Sequence, residues 1–308
     1  MYDLIILGGG PAAVAGAVYA ARKQLKSAII TAEFGGQSIV SETIYNWIGT
    51  PEISGTELGE NLKKHILYYK GPFLDIIEGE RINNIEKLKK GFKIITETGK
   101  NYEALAIIIA TGSHRRKLEV KNADIYENKG ITYCASCDGP LFAGQDIVII
   151  GGGNSAFESA TQLLAYCKSV TMIIRSNNLR ADEITVKKVS ENSNFKLVKN
   201  ADIMQVDGGK FLESLTYKDI TTGQEKTIKT NGIFVEIGQI PNTSFAKNVI
   251  EIDEFGKIIV NPTTQASSTE GIWAAGDCTN GKYHQNNIAA GEGVTALEDA
   301  YLWIKKNK

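Results

Sequence analysis

Two segments of this chain repeat one another, and that repeat constrains the fold more than any other feature. Asp3-Leu4-Ile5-Ile6-Leu7 is an apolar run of strand length, and Gly8-Gly9-Gly10-Pro11-Ala12-Ala13 opens an alanine-rich stretch to Arg22 that reads as a helix. From Gly8 the pattern returns 143 residues later: Ile147–Ile150 precedes Gly151-Gly152-Gly153-Asn154-Ser155-Ala156 and a helical run to about Tyr166. Each copy reads G-x-G-x-x-A. Gly8 and Gly151 permit a tight turn, Gly10 and Gly153 let backbone N–H groups reach a pyrophosphate, and Ala13 and Ala156 let helix and strand pack closely. The helix N-terminus, at Pro11-Ala12 or Asn154-Ser155, then faces the anion. A lone copy could be glycines turning a corner; two copies in strand-to-helix context predict two dinucleotide sites. The fold class is therefore α/β, with two Rossmann-like, three-layer ββα dinucleotide-binding domains.

The residues beyond each turn distinguish the two sites, because an acid ending the next strand accepts hydrogen bonds from a ribose whereas arginine tolerates a 2′-phosphate. After the strand 27–32, Glu33 stands 25 residues past Gly8, a site for an unphosphorylated ribose that fits the adenosine of FAD. After the strand 169–174, the matching position is Ser176, with Arg175 before it and Arg180 beyond. That site leans toward NADPH over NADH, against the alternative of two arginines on a solvated loop. His114-Arg115-Arg116 comes after an apolar run and not after the second glycine turn, so it reads as a charged linker.

The remaining segments set boundaries. Gly91–Thr98 and Ala104–Ile109 read as a hairpin ending at Ala110-Thr111-Gly112, and 211–229 as another centred on Thr222-Gly223. Gly271–Asp277 is a further strand ending in an acid and belongs with the first lobe. The second domain is thus inserted into the first: 1–114 and 241–308 form an FAD-binding domain, and 115–240 an NAD(P)H-binding-like domain.

Cys134-Ala135-Ser136-Cys137-Asp138-Gly139 spaces two thiols to close a disulfide. Zinc would need a second ligand pair, and Cys167, Cys278, His65, His114 and His284 are scattered singly, so no metal is expected. Asp138 is a candidate proton donor and acceptor for the dithiol, with helix capping as its structural alternative. Cys167 and Cys278 read as buried thiols without chemistry. Two dinucleotide turns and one dithiol imply hydride transfer to flavin and electron transfer from flavin to a disulfide.

Composition removes other classes. With 34 Lys plus Arg against 35 Asp plus Glu, the net charge of -1 provides no basic field for nucleic acid or an anionic membrane. Four cysteines in 308 residues do not make a disulfide-stapled secreted scaffold, so a reducing compartment, the cytoplasm, is expected. Leu4–Ala21 lacks charge over 18 positions, yet three glycines and Pro11 interrupt it and no Lys or Arg precedes it. It is read as neither a membrane span nor a signal peptide.

Taken in order, Gly8 to Ala13, Gly35-Gly36-Gln37, Tyr45-Asn46-Trp47, Ala110-Thr111-Gly112, Cys134 to Gly139, Gly151 to Ala156 and Ala275-Gly276-Asp277 with Gln285 resemble the low-molecular-weight thioredoxin reductase family over essentially the whole length. The resemblance implies FAD in the first lobe. Gln37 and Asn46 would lie near the isoalloxazine and ribityl region, Asp277 on the ribityl chain and Gln285 near the flavin. Cys137 would face the flavin and Cys134 would attack the incoming disulfide. The family is usually homodimeric, and its inserted domain rotates to present nicotinamide and dithiol in turn. Family members that use NADPH carry His-Arg-Arg and a further Arg where this chain has Ile174, Arg175, Ser176 and Arg180, so half the phosphate clamp is absent. Asp138–Phe142 and Asp277-Cys278-Thr279 look more like the flavoprotein of bacterial alkyl hydroperoxide reductase, without its N-terminal thioredoxin-like domains. The expected partner is a separate thioredoxin or glutaredoxin-like protein. A ferredoxin-fed reductase and a slow-turnover flavin redox sensor are the alternatives.

Overall fold

The computed structural model describes residues 1–308 apart from Glu42, Thr43 and Tyr45, and apart from the side chains of Val40, Ser136 and Cys137. The chain divides into two compact units, Met1–His114 with Ile240–Lys308, and Arg115–Gln239. Ile240 falls on the first unit's side of the second crossing.

The first unit begins β1 (Tyr2–Leu7), α1 (Pro11–Arg22), β2 (Ser27–Thr31), α2 (Gly55–Tyr68), β3 (Leu74–Glu78), β4 (Ile82–Lys87), β5 (Phe92–Thr96), β6 (Asn101–Ile109) and β7 (Ser113–Arg115). The second contains β8 (Ile131–Thr132), α3 (Ala135–Asp138), β9 (Asp146–Ile150), α4 (Asn154–Leu163), β10 (Ser169–Ile173), α5 (Glu183–Ser190), β11 (Phe195–Val198), β12 (Ala201–Gly208), β13 (Leu212–Asp219), β14 (Glu225–Lys229) and β15 (Gly232–Val235). After β16 (Gln239–Pro241), β17 (Ile272–Ala274) and α6 (Asn286–Asn307) complete the first unit.

In the first unit β3, β2, β1, β6 and β17 run parallel, while β5 and β4 continue from the start of β6 as an antiparallel layer. Side-chain alternation along β1 explains the three layers. Leu4 and Ile6 pack under α1, α2 and α6, while Leu7 and Ile5 pack with Ile85, Phe92 and Ile94 of the antiparallel strands. Both faces are covered, so Leu4–Leu7 is apolar without a break. At Gly293 of α6 a Cβ would stand 2.1 Å from the Ala12 carbonyl oxygen, so only glycine permits this approach of α6 to α1.

The second unit has the same plan. Its parallel sheet has the order β11, β10, β9, β15, β8, and β12, β13 and β14 form the antiparallel layer. Ile147, Ile149 and Phe234 pack with α4, whereas Val148, Ile150, Ile233 and Val235 face Val206, Leu212 and Leu215. The predicted hairpins are present, and the second of them gains β12 as a third strand. No helix among the described residues is long and apolar enough to cross a membrane.

Candidate active site

The first glycine turn is built by steric necessity. Gly8 has φ +124° and a Cβ there would lie 2.1 Å from the Ala110 carbonyl oxygen, while one at Gly9 would lie 2.1 Å from that of Glu33. Gly10 has open space where its side chain would be, and it precedes α1 without a capping side chain. The free N–H groups of the first helical turn therefore face a cavity.

That cavity measures about 610 Å³ and belongs wholly to the first unit. Gly8, Gly10, Pro11, Ala12, Glu33, Gly36, Gln37, Ala110, Thr111, Gly112, Gly276 and Asp277 line it; Ala13, next in α1, is fully buried against the sheet. Asn46 and Gln285 are joined by a 2.9 Å hydrogen bond from Asn46 Nδ2 to Gln285 Oε1, and Asn287 Nδ2 donates to the Asn46 carbonyl at 2.6 Å. Tyr45 lies outside the described residues. The glycine cradle, the uncapped helix and the cavity fit a dinucleotide.

Several contributors to this site carried no motif. Glu80, Arg81, Ile82 and Glu97 supply one wall, and Ser38 donates to Asn286 Oδ1 at 2.9 Å on another. Glu80 is 4% exposed; Lys100 Nζ and Thr98 Oγ1 each donate to it at 2.6 Å. Those bonds, Lys100 first, hold its carboxyl down at about 2. At the other end Asp277 Oδ1 stands 3.4 Å from His284 Nδ1, and Lys257 Nζ is 2.9 Å from His284 Nε2. Glu292 accepts from the Gly276 N–H at 2.7 Å, and burial pushes its carboxyl above the ordinary value. Neither His284 nor Glu292 stands in a sequence motif that marks it as part of this site.

The second turn shares a pattern of backbone bonds with the first. Gly8 N–H donates to Ile30 O at 2.9 Å and Gly151 N–H to Ile173 O at 3.1 Å; Val14 N–H and Phe157 N–H each close onto the glycine that precedes the helix. Gly151 has φ +136° and a Cβ there would lie 2.2 Å from the Glu236 carbonyl oxygen; Gly153 is open. Asn154 and Ser155 start α4, with Ala156 buried, and Asn154 Oδ1 accepts from the Asp182 N–H at 2.8 Å. Of the two arginines, Arg175 is 81% exposed with Nε 3.3 Å from Asp202 Oδ1, and Arg180 N–H donates to Gly152 O at 2.9 Å. Ser176 Oγ donates to the Asn178 carbonyl at 2.8 Å, and Ile174 is buried beneath the turn. His114 lies at the first crossing between units, with Nδ1 2.8 Å from Asn242 Oδ1.

Cys134 is disulfide-bonded and precedes the single helical turn α3, which packs on α4. The side chain of Cys137 lies outside the described residues. Asp138 ends that turn and makes no capping hydrogen bond; its carboxylate accepts from the Thr132 hydroxyl. Cys167 and Cys278 are free buried thiols, pushed by burial up to about 11 and about 12. Among the described residues no cluster of three or more His, Cys, Asp or Glu could hold a metal ion.

The sequence model of the pyridine nucleotide-disulphide oxidoreductases matches residues 2–293. The chain belongs to that family. Its resemblance to thioredoxin reductases extends to solved structures: the Streptococcus pyogenes enzyme is 32% identical with a TM-score of 0.85, the match covering 99% of each chain. Thioredoxin reductase from Giardia duodenalis is 30% identical with a TM-score of 0.86 and the same coverage. An alkyl hydroperoxide reductase component of Staphylococcus epidermidis is 37% identical over 306 residues, 99% of this chain and 60% of that protein. A protein named NADH dehydrogenase in Bacillus subtilis is 36% identical over 306 residues, again 99% of this chain and 59% of its own. The chain thus spans about 60% of the length of the curated relatives it matches. Pyridine nucleotide-disulphide oxidoreductases bind FAD and use NADH or NADPH, and those are this protein's cofactors.

Proposed function

We propose that this protein passes electrons from NADH or NADPH, through FAD, to the Cys134/Cys137 pair and on to the disulfide of a separate thioredoxin or glutaredoxin-like protein. One observation carries the reading: α4 has a dinucleotide-type glycine turn at its N-terminus, and the helical turn capped by disulfide-bonded Cys134 packs on that same helix. The glycine turn and Cys134 belong to the same compact unit.

When bound, FAD supplies two-electron exchange between a nicotinamide and a disulfide. Gly8, Gly10 and the α1 N-terminus would hold its pyrophosphate, Glu33 the adenosine ribose, and Asp277 the ribityl chain, with Gln37, Asn46 and Gln285 toward the flavin. Two electrons entering the Cys134 disulfide break its S–S bond and leave two thiolates that need protons. Asp138, oriented by Thr132, holds and returns one of them. Cys134 then attacks the partner's disulfide, forming a mixed disulfide and releasing one partner thiolate, and Cys137 displaces the other as the Cys134–Cys137 bond re-forms.

The donor is the finer question. Arg175 is engaged by Asp202 and Ser176 stands where a second arginine would bind a 2′-phosphate, so discrimination between NADPH and NADH is small. That same half-clamp favours a second reading in which ferredoxin feeds the flavin. Association as a homodimer belongs to this proposal by family resemblance. Anaerobic mixing of the oxidised holoenzyme with NADPH, NADH and reduced ferredoxin, each separately, tests the reading through loss of flavin absorbance. Rapid bleaching by either nucleotide, with subsequent reduction of a thioredoxin disulfide, is expected. Bleaching by ferredoxin alone transfers the donor role, and slow bleaching by every donor without disulfide reduction marks a redox sensor.

A further inference from the structure

The internal repeat pairs Ala110-Thr111-Gly112 of the first unit with Glu236-Ile237-Gly238 of the second. Ala110 N–H donates to Leu7 O at 2.8 Å and Glu236 N–H to Ile150 O at 2.7 Å, and Leu7 and Ile150 are the residues immediately before the two glycine turns. A Cβ on Gly8 would strike the Ala110 carbonyl, and one on Gly151 the Glu236 carbonyl; Gly112 and Gly238 both have positive φ. In the first unit the paired position lines the dinucleotide cavity with a methyl group. In the second it carries a carboxylate.

This carboxylate is half-buried, and its Oε1 accepts from Ser159 Oγ at 2.8 Å. Ser159 stands five residues into α4 from Asn154, roughly 7.5 Å along the axis from the helix N-terminus at 1.5 Å per residue. That distance is within a Debye length of roughly 8 Å, and the path runs through protein, where screening by salt is weaker still. An ionised Glu236 therefore opposes the field that α4 presents to a pyrophosphate, whereas its neutral acid does not.

We propose that Glu236 makes nucleotide binding at the second glycine turn proton-coupled: the dinucleotide is held when Glu236 carries a proton and is repelled when it does not. The inference rests on the reading of that turn as the nicotinamide nucleotide site. Burial pushes the Glu236 carboxyl above its ordinary value; the Ser159 hydrogen bond and then Arg115 oppose that rise, and Glu158 of α4 adds to it. The glycine turn itself contributes no titrating group, and Asp138, beyond the neighbouring β8, is engaged by Thr132. A bound pyrophosphate favours the neutral acid further, so binding takes up a proton over the interval between the free and bound values.

The test is calorimetric titration of the oxidised holoenzyme with NAD⁺, which carries no group titrating between pH 5 and 9. Wild type, Glu236→Gln and Glu236→Ala are compared across that range. Wild-type affinity is expected to fall by up to about tenfold per pH unit between the free and bound values of Glu236, and to level off above them. Both variants give a flat profile and exceed wild type at the alkaline end by about tenfold or more. Glu236→Gln keeps an oxygen for Ser159, so its flat profile separates charge from packing. Binding of NAD⁺ with a flat wild-type profile, or with the same decline in Glu236→Gln, overturns the inference and leaves the nucleotide site standing. Absence of NAD⁺ binding in all three proteins at every pH overturns the site and the inference together.

Discussion

Replacing either of two glycines in one turn by alanine should produce opposite kinds of damage. Gly8→Ala forces a side chain onto φ +124° and drives its Cβ to 2.1 Å from the carbonyl oxygen of Ala110, whose N–H is bonded to Leu7 O at 2.8 Å. Strain at such a backbone position costs about 1–3 kcal/mol and overpacking about 1–3 kcal/mol, roughly 2–6 kcal/mol together. At roughly 2–4 °C per kcal/mol for a unit of this size, the apoprotein should melt roughly 4–24 °C lower. Gly10→Ala places its Cβ in open space at φ -82°, so apoprotein stability should change by no more than about 0.5 kcal/mol. Its methyl group, however, intrudes where the α1 N–H groups meet the anion. Losing one such charge-assisted hydrogen bond is worth about 1.5–3 kcal/mol, or about 10–150-fold in FAD affinity. Calorimetry of FAD-free protein measures the first effect without ligand linkage, and flavin fluorescence during reconstitution measures the second. An apo Gly8→Ala protein that melts with wild type, or a Gly10→Ala protein that retains wild-type FAD affinity, would refute this account of the turn.

Three further outcomes rest on particular contacts. Cys134→Ser should abolish reduction of a protein disulfide while leaving the flavin reducible by its donor, and Cys137→Ser should block electron flow out of the flavin; thioredoxin reduction by either variant removes the pair from the relay. NADPH and NADH should differ in kcat/KM by about tenfold or less, and Ser176→Arg should shift the ratio toward NADPH because Ile174 is buried and leaves the phosphate room, a change read from steady-state kinetics with both nucleotides. Because Glu80 is held at about 2, below its ordinary 4.5, its contribution to stability is complete above about pH 4.5 and lost as pH falls toward 2. Glu80→Gln should therefore flatten the fall of Tm between pH 5 and 3, and an unchanged slope would show that the Lys100 and Thr98 bonds do not set it.

What the sequence determined alone is local. A glycine turn is specified within six residues, because its first glycine must adopt positive φ and its second must leave backbone N–H groups bare, so both dinucleotide turns could be read directly. Apolar runs before each turn and the alanine-rich run after the first carried the strand-to-helix grammar for the same reason. Tertiary structure decided whatever depends on separated segments meeting. Glu80, Arg81, Ile82 and Glu97 become a wall of the first cavity only because β4 and β5 fold back beside β6, and nothing in their local pattern marks a ligand. Arg175 reads as half of a phosphate clamp, and β12 gives it a neighbour, Asp202 at 3.3 Å, that its own segment does not reveal. Glu236 stands between an ordinary strand and a glycine, and only pairing of β15 with β9 sets it against Gly151 and Ser159. Its charge matters because of that neighbourhood, and burial depends on which distant segments pack around a residue, which its adjacent sequence does not encode.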